Sequence, residues 1–509
     1  DISSGFQFVN VKDLRSTLKT IIKKWGNSFD YVAVQNQKRE DEFNNLIKVL
    51  EEFNISYNSI DNLNHHLCHA AGAYFTSPFE ESLILSYDGA GNDGNTIFFK
   101  GKGSSLEYLE VYTLKFGGSY NNLGFICNIS PDISGTTSGK TMGLTSYGNV
   151  IEDWLPVFKE HILSYLKKPQ AQSSDINPYG KAHVINWDYL SKIPEIKAII
   201  NEDGSSKATV NDKISHDICK TAQRAWSECV INLVEQHRET SKNLCIVGGC
   251  ALNGVTNYQI QKKQLFDKYH FIPNPTDCGL SVGAAFYSYY KYSKEKFTGY
   301  KGYFSPYLGE EAYDRDKISQ LESQYNHRKI EKENVPQELA KLICDNKIVG
   351  VVRGRYEIGP RALGNRSILC NSQNKDMRDI LNEKVKHREW YRPFAPVCTA
   401  EDSKKYFTND CEIPYMSVIC YTRDEFKDLL PSITHVDGSC RLQTVTEDQH
   451  SFLYSTLREI EKINGHPIVL NTSFNPGGEP ILNYYEVALE MLKTTGLDYV
   501  LIEDTLFWE

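Results

Sequence analysis

Short apolar runs that stop at glycine or aspartate recur along this chain, and helix-like segments follow several of them. Residues 82–87 read as a continuous apolar run that ends at Asp88-Gly89, and residues 243–247 read as a strand that ends at Gly248-Gly249. A strand buried on both faces needs such a run, and the turn residues fix where it stops. Residues 29–34 read as a further strand, and 95–116 as hairpin strands around a Gly101-Lys102-Gly103 turn. Helical periodicity marks 40–53, with Phe43, Leu46, Val49 and Leu50 on one face, and also 213–239 and 280–292. In the second half, 337–344, 452–463 and 486–494 read as helices. There 348–352 and 467–470 read as strands, and 499–502 as the last strand. Strands alternating with helices predict an α/β fold. At 509 residues, two domains are expected, because one core rarely grows beyond about 250–300 residues. Residues 293–335 lack periodicity and read as the linker, which divides the chain into 1–320 and 335–509.

Composition narrows the function. The aromatic fraction of 12% excludes a low-complexity, disordered chain. No apolar run approaches the roughly 20 residues a bilayer requires, so no membrane partner is expected. The net charge of -9 disfavours nucleic acid as a partner. The 13 cysteines include no Cys-x-x-Cys pair and read as buried thiols, so a reducing, cytoplasmic setting is expected. The chain begins at Asp1 without a methionine, and the expectation is that a preceding segment is missing.

Several local patterns carry chemistry. His65 and His69, four apart in a candidate helix over 64–74, project from one face and suit one metal ion, or else two hydrogen-bonded histidines. His66 points elsewhere and reads as a supporting residue. Asp88 at a strand end could hold a metal, and Gly89 opens a loop that either approaches a phosphate or is a hairpin turn. Gly248, Gly249 and Asn253 lie where a strand passes into a helix, which is either a phosphate- or ribose-binding turn or a plain tight turn. Asp277 reads as a helix cap or as another acidic group in a site. In the second half, residues 353–392 hold ten basic side chains and five acidic ones. Glycine, proline and apolar residues interleave with the arginines, which favours an anion site over a solvated basic face.

Longer strings identify a resemblance. Residues 138–148, SGKTMGLTSYG, are similar to the Gly-Lys-x-Met-Gly-Leu stretch of NodU/CmcH-type O-carbamoyltransferases. Residues 354–367, GRYEIGPRALGNRS, then 384–396 and 471–481, resemble three further motifs of that family. The resemblance implies an actin/Hsp70/sugar-kinase-like (Kae1-like) N-terminal domain and an α/β YrdC-like C-terminal domain. It implies a divalent metal (iron, manganese or magnesium) on His65, His69, Asp88 and Asp277. It implies ATP as cofactor, with Lys140, Gly89, Gly248, Gly249 and Asn253 lining the nucleotide. Arg355, Arg361, Arg366, Lys386, Arg388 and Arg392 would bind phosphates, and Asn471 and Ser473 would orient a carbamoyl group.

The implied reaction joins carbamoyl phosphate and ATP into carbamoyl-adenylate, from which a hydroxyl-bearing acceptor takes the carbamoyl group. That acceptor would be a natural product, a sugar or a hydroxylated nucleobase, and the enzyme a homodimer or a monomer. Members of the family begin with a strand and a phosphate loop carrying a histidine. The expectation is that this chain starts near the segment after them, so no base for the acceptor is assigned. The acceptor's specificity is expected in 149–211, which matches no motif. Threonylcarbamoyl-type tRNA modification and a non-enzymatic ATP-dependent switch are the competing readings.

Overall fold

The computed structural model describes residues 11–35, 40–129, 137–164, 187–201, 205–311 and 315–509. Two compact units emerge. The first comprises 1–141 and 148–304, and the second comprises Met142–Tyr147 with Ser305–Glu509. Both are mixed α/β. The second unit therefore takes in a short piece of the SGKTMGLTSYG string along with the C-terminal half.

In the first unit, β1 (Ser28–Gln35) and β2 (Ser56–Leu63) form a parallel pair. The main sheet has five strands: β3 (Glu81–Gly91), β4 (Gly94–Lys102), β5 (Ser105–Tyr112), β6 (Asn243–Val247) and β7 (Lys268–Phe271). Their spatial order is β5-β4-β3-β6-β7. The hairpin strands pair antiparallel, while β3, β6 and β7 run parallel. Parallel neighbours place the C-terminal ends of β3 and β6 side by side, and this brings Asp88 to Gly249. The His65–Phe75 helix is buried along its whole length, with Ala70, Ala71 and Ala73 allowing close approach to the sheet. Gly72 and Gly283 let it pack against the Leu280–Tyr292 helix, since a Cβ on Gly283 would meet the Cys68 carbonyl oxygen at 1.8 Å.

The second unit is built on an eight-stranded sheet. Its strands are β8 (Asn326–Lys329), β9 (Val349–Val352), β10 (Arg366–Cys370), β11 (Ala395–Thr399), β14 (Gln443–Val445), β15 (Ile468–Ser473), β16 (Tyr499–Ile502) and β17 (Thr505–Trp508). They lie in the order β14-β11-β15-β10-β9-β16-β17-β8. A separate small pair, β12 (Cys420–Tyr421) and β13 (Ser439–Cys440), completes the set. The Val335–Cys344 and Ser451–Asn464 helices cover the sheet through Leu339, Ile343, Leu453, Leu457 and Ile460.

Two expectations are corrected. The region read as linker contains a helix, Arg315–Glu322, and the edge strand β8. Its Asn-His-Arg-Lys side chains are all exposed, so the strand has no apolar alternation to betray it. The strand 499–502 is not the last, because β17 returns antiparallel to it. Glu503 makes that turn at φ +50° without a glycine, which left no turn signal to read. Of the stretch 149–211, residues 165–186 and 202–204 lie outside the described residues. Among the described residues, no helix is long and apolar enough to cross a membrane.

Candidate functional site

The first unit gathers four donor groups. His65 and His69 sit one turn apart on the His65–Phe75 helix, Asp88 lies near the end of β3, and Asp277 opens the turn before the Leu280–Tyr292 helix. The two Nε2 atoms are 3.1 Å apart. His69 Nε2 lies 3.1 Å from Asp88 Oδ2 and 3.5 Å from Asp277 Oδ1; for His65 Nε2 the distances are 3.7 and 3.6 Å. One ligand atom from each residue falls within 4.8 Å of all the others. Around an ion bound at about 2.1 Å, tetrahedral neighbours stand ~3.4 Å apart, and these five distances bracket that value. Nitrogen and carboxylate donors in this mixture suit a borderline or hard divalent cation. Burial opposes an imidazolium at His69, but hydrogen bonding to Asp277 and Asp88 carries it up to about 9. Burial also favours a neutral Asp88, but His65, His69 and the Gly249 N–H hold it well below the usual carboxylate range.

The supports of this cluster explain most of the surrounding sequence. Asp88 Oδ2 accepts from Gly249 N–H at 3.0 Å. Gly248 adopts φ +95°, and a Cβ there would stand 2.1 Å from the Tyr87 carbonyl oxygen. Gly249 thus holds Asp88, and Gly248 lets the loop pass against the Tyr87 backbone. Asn253, expected to line the nucleotide, is consumed by the fold. Its Oδ1 accepts from Thr256 N–H at 3.1 Å, and its Nδ2 donates to Gln223 at 3.1 Å. Gly89 is exposed, with open space where a side chain would stand, and Lys140 is half-buried on the Thr137–Leu144 helix. His66 turns away from the donors to share a 2.7 Å hydrogen bond with Ser86, buried beneath Gly91.

Sequence reasoning missed the caps of the histidine helix. Asn64, the residue before it, gives no side-chain cap. Instead His65 N–H donates to Asn92 Oδ1 at 2.8 Å, and His66 N–H to Asp93 Oδ1 at 3.0 Å. Tyr108 donates to the other Asp93 oxygen at 3.1 Å. The end of β3 and the turn after it therefore supply a donor residue and the caps of the helix that bears two others. The only signal was Asn-Asp in a turn, which reads equally well as turn chemistry.

The second unit concentrates cations around the loop joining β9 to β10 and the segment 386–392. Glu357 folds that loop, accepting from the backbone N–H groups of Leu363, Asn365 and Arg366 at 2.7, 2.9 and 3.3 Å. The arginines then divide by their partners. Arg366, fully buried, donates to the carbonyls of Arg353, Asn365 and Gly354 at 2.7, 2.8 and 3.0 Å. Arg355 donates to the carbonyls of Gly309 and Leu308 at 2.6 and 2.5 Å. Both were expected to bind phosphate; Arg366 is tied to three backbone oxygens and keeps only its buried Nε without a partner, and the exposed Arg355 holds two backbone oxygens. Lys386 is almost fully buried and ties the Ser473–Asn475 segment, donating to the two carbonyls at 2.6 and 2.8 Å and to Asn475 Oδ1 at 2.8 Å. Ser473 Oγ in turn donates to Asn475 Oδ1 at 2.6 Å.

Arg361 is different. It has no hydrogen-bond or ion-pair partner among the described residues, and its Nε is fully buried. Burial, then the Arg392 charge, lower it to about 10. Burial and Arg392 likewise lower Arg388 to about 9, and burial with Arg388 and Arg392 pushes Lys386 well below the usual range. Glu389, 3.7 Å from Arg392, is the acid that faces this group. Asn471 on β15 is buried, and its Oδ1 has no donor among the described residues. Positive charges that depress one another in this way would be offset by an anion.

A donor cluster fit for a divalent cation and a group of buried cationic side chains are the features that any identification has to accommodate. Residues 27–286 match the family model described as carbamoyltransferase N-terminus, and residues 340–508 the one described as carbamoyltransferase C-terminus. The chain belongs to the carbamoyltransferase family. Nodulation protein NolNO of Sinorhizobium fredii is 30% identical over 452 residues, covering 86% of this chain and 62% of that protein. Nodulation protein NolO of Bradyrhizobium diazoefficiens is 29% identical over 460 residues, covering 86% and 78%. Among solved structures, HypF from T. kodakarensis is 14% identical over 55% of this chain and 43% of that one, at a TM-score of 0.35, too faint a likeness to carry an argument.

Proposed function

We propose that this carbamoyltransferase is ATP-dependent and works through carbamoyl-adenylate, which it passes to a hydroxyl of a natural product, a sugar or a hydroxylated nucleobase. The observation that carries the reading is that Arg361, Lys386 and Arg388, all buried, each feel the charge of Arg392 in the second unit. Two like charges ~5 Å apart repel by about 3 kcal/mol at an effective dielectric near 20. Such an arrangement is relieved by a multiply charged anion, and carbamoyl phosphate and the phosphates of ATP are such anions.

Carbamoyl phosphate, ATP and one water give carbamoyl-adenylate, phosphate and pyrophosphate. The acceptor oxygen then bonds to the carbamoyl carbon, AMP leaves, and the hydroxyl proton is lost. We assign the first step to the second unit, read as YrdC-like, where Arg361, Arg388 and Arg392 offset the phosphate charge and Lys386 holds the Ser473–Asn475 wall in place. We assign the second step to the first unit, read as Kae1-like. There His65, His69, Asp88 and Asp277 would hold a divalent iron, manganese or magnesium ion, which when bound supplies Lewis-acid polarisation to a carbonyl. Gly89 and Lys140 face the nucleotide in this reading.

The test is pyrophosphate release by the full chain supplied with labelled carbamoyl phosphate, ATP and a divalent metal. Label recovered on a hydroxyl-bearing acceptor supports the reading. A requirement for threonine and bicarbonate in place of carbamoyl phosphate would instead indicate threonylcarbamoyl transfer, and nucleotide binding without turnover an ATP-dependent switch.

A further inference from the structure

The stretch read as linker carries a strap. Residues 305–311 stand where the second unit takes over from the first, and they run antiparallel to residues 355–358 of the β9–β10 loop. Ile358 N–H donates to the Pro306 carbonyl at 2.8 Å, Gly309 N–H to the Tyr356 carbonyl at 3.0 Å, and Tyr356 N–H to the Glu310 carbonyl at 3.3 Å. Glu311 and Arg355 form the last bridge of this register. The Arg355 side chain adds its two hydrogen bonds to Leu308 and Gly309 on the same segment. Close approach depends on Gly309, where a Cβ would stand 2.1 Å from the Tyr356 ring.

Tyr307 carries the strap to the other leg of the loop. Its hydroxyl donates to the Leu363 carbonyl at 2.9 Å, and its ring meets His450 edge-on at 4.9 Å. His450 Nδ1 accepts from Leu453 N–H at 3.2 Å, so Nε2 bears the proton and donates to Asn365 Oδ1 at 3.0 Å. Asn365 Nδ2 returns to the Arg355 carbonyl at 2.8 Å, which ties the two legs together. Arg361 lies on the arch between them. It holds no protein partner among the described residues, so nothing at its own guanidinium fixes where it stands.

We infer that the strap 305–311 is a positioning element for Arg361, with Tyr307 and Gly309 as its positioning residues. This rests on the proposal that the second unit activates carbamoyl phosphate. A cation that serves a phosphate must be set before the ligand arrives, and a misplacement of about 1 Å can cost ~100-fold in rate. The Tyr307 hydroxyl is not needed to satisfy the Leu363 carbonyl, because Gln443 Nε2 also donates to it at 2.9 Å. Its contribution is therefore to the placement of the loop more than to the stability of the fold.

The experiment measures kcat/KM for pyrophosphate release by the full chain with carbamoyl phosphate and ATP, beside thermal unfolding. Tyr307→Phe keeps the ring on His450, so Tm is expected to stay near wild type while kcat/KM falls at least ~10-fold. Gly309→Ala drives the strap off the Tyr356 ring and is expected to lower kcat/KM at least ~100-fold. Both losses should vanish in an Arg361→Ala background, since residues that act through one group are not additive. If that background has no measurable turnover, the same cycle is read as affinity for inorganic phosphate by calorimetry. Wild-type kcat/KM in both strap variants overturns the assignment. Equal losses with and without Arg361 overturn it too, because the strap would then support the fold alone. If Gly309→Ala does not fold, Tyr307→Phe decides by itself. A wild-type chain that releases no pyrophosphate from carbamoyl phosphate sinks the underlying proposal, and this assignment with it.

Discussion

Gly249 lies so close to Asp88 that a Cβ on it would stand 2.8 Å from Oδ1, while its N–H donates to Oδ2 at 3.0 Å. The glycine both admits and aims the carboxylate. Gly249→Ala is expected to keep the fold, because the atom it meets is the end of a side chain, yet to displace Asp88 and weaken Mn2+ binding at least ~10-fold. Gly248→Ala should behave oppositely. It meets the Tyr87 backbone at 2.1 Å from a φ of +95°, and should lose at least about 2 kcal/mol of stability. Metal titration beside thermal unfolding separates the two.

The paired histidines give the direct test of the donor cluster. In the proposed division of labour, His65→Ala/His69→Ala removes two of four donors and abolishes carbamoyl transfer, while pyrophosphate release in the second unit persists. Wild-type Mn2+ affinity in this variant, measured by calorimetry, would refute the ligand assignment.

Arg361 and Arg366 should part company although they lie five residues apart in one string. Arg361→Ala removes a guanidinium without a protein partner, so pyrophosphate release should fall at least ~100-fold with little change in unfolding. Arg366→Ala strips donors from three carbonyl groups and should cost about 2–5 kcal/mol in urea unfolding. Equal stability losses in both variants would contradict this division between a ligand-binding and a structural arginine.

Asp93 is expected to act through the helix it caps. Asp93→Ala leaves the His66 N–H without its acceptor and should cost about 1 kcal/mol, with metal affinity falling as His65 and His69 shift. Asp93→Asn keeps an acceptor oxygen and should restore most of the affinity. A calorimetric Mn2+ series over the three proteins checks this.

Much of the architecture was legible because it is written in contiguous residues. The runs Leu83–Leu85 and Leu244–Val247 are apolar, and turn residues follow soon after each, so β3 and β6 could be read directly. The edge strand β8 could not, since its four exposed polar side chains carry no period. Candidate site residues were legible by type. His65 and His69 have metal spacing, and 353–392 is dense in arginine. Which arginine is engaged by which oxygen was not, because the Leu308 and Gly309 carbonyls that bind Arg355 lie far back along the chain.

By itself, then, the sequence determined the element types, the two α/β halves and the supply of imidazoles, carboxylates and guanidinium groups. It could do so because periodicity and side-chain chemistry are local properties. Only the tertiary structure decided that Asp88 is aimed by Gly249, that Asn92 and Asp93 cap the histidine helix, and that Arg366 is tied to three carbonyl groups while Arg361 holds none. Hydrogen bonds saturate: each donor spent on a distant carbonyl is unavailable to a ligand, and that accounting closes only when remote segments meet.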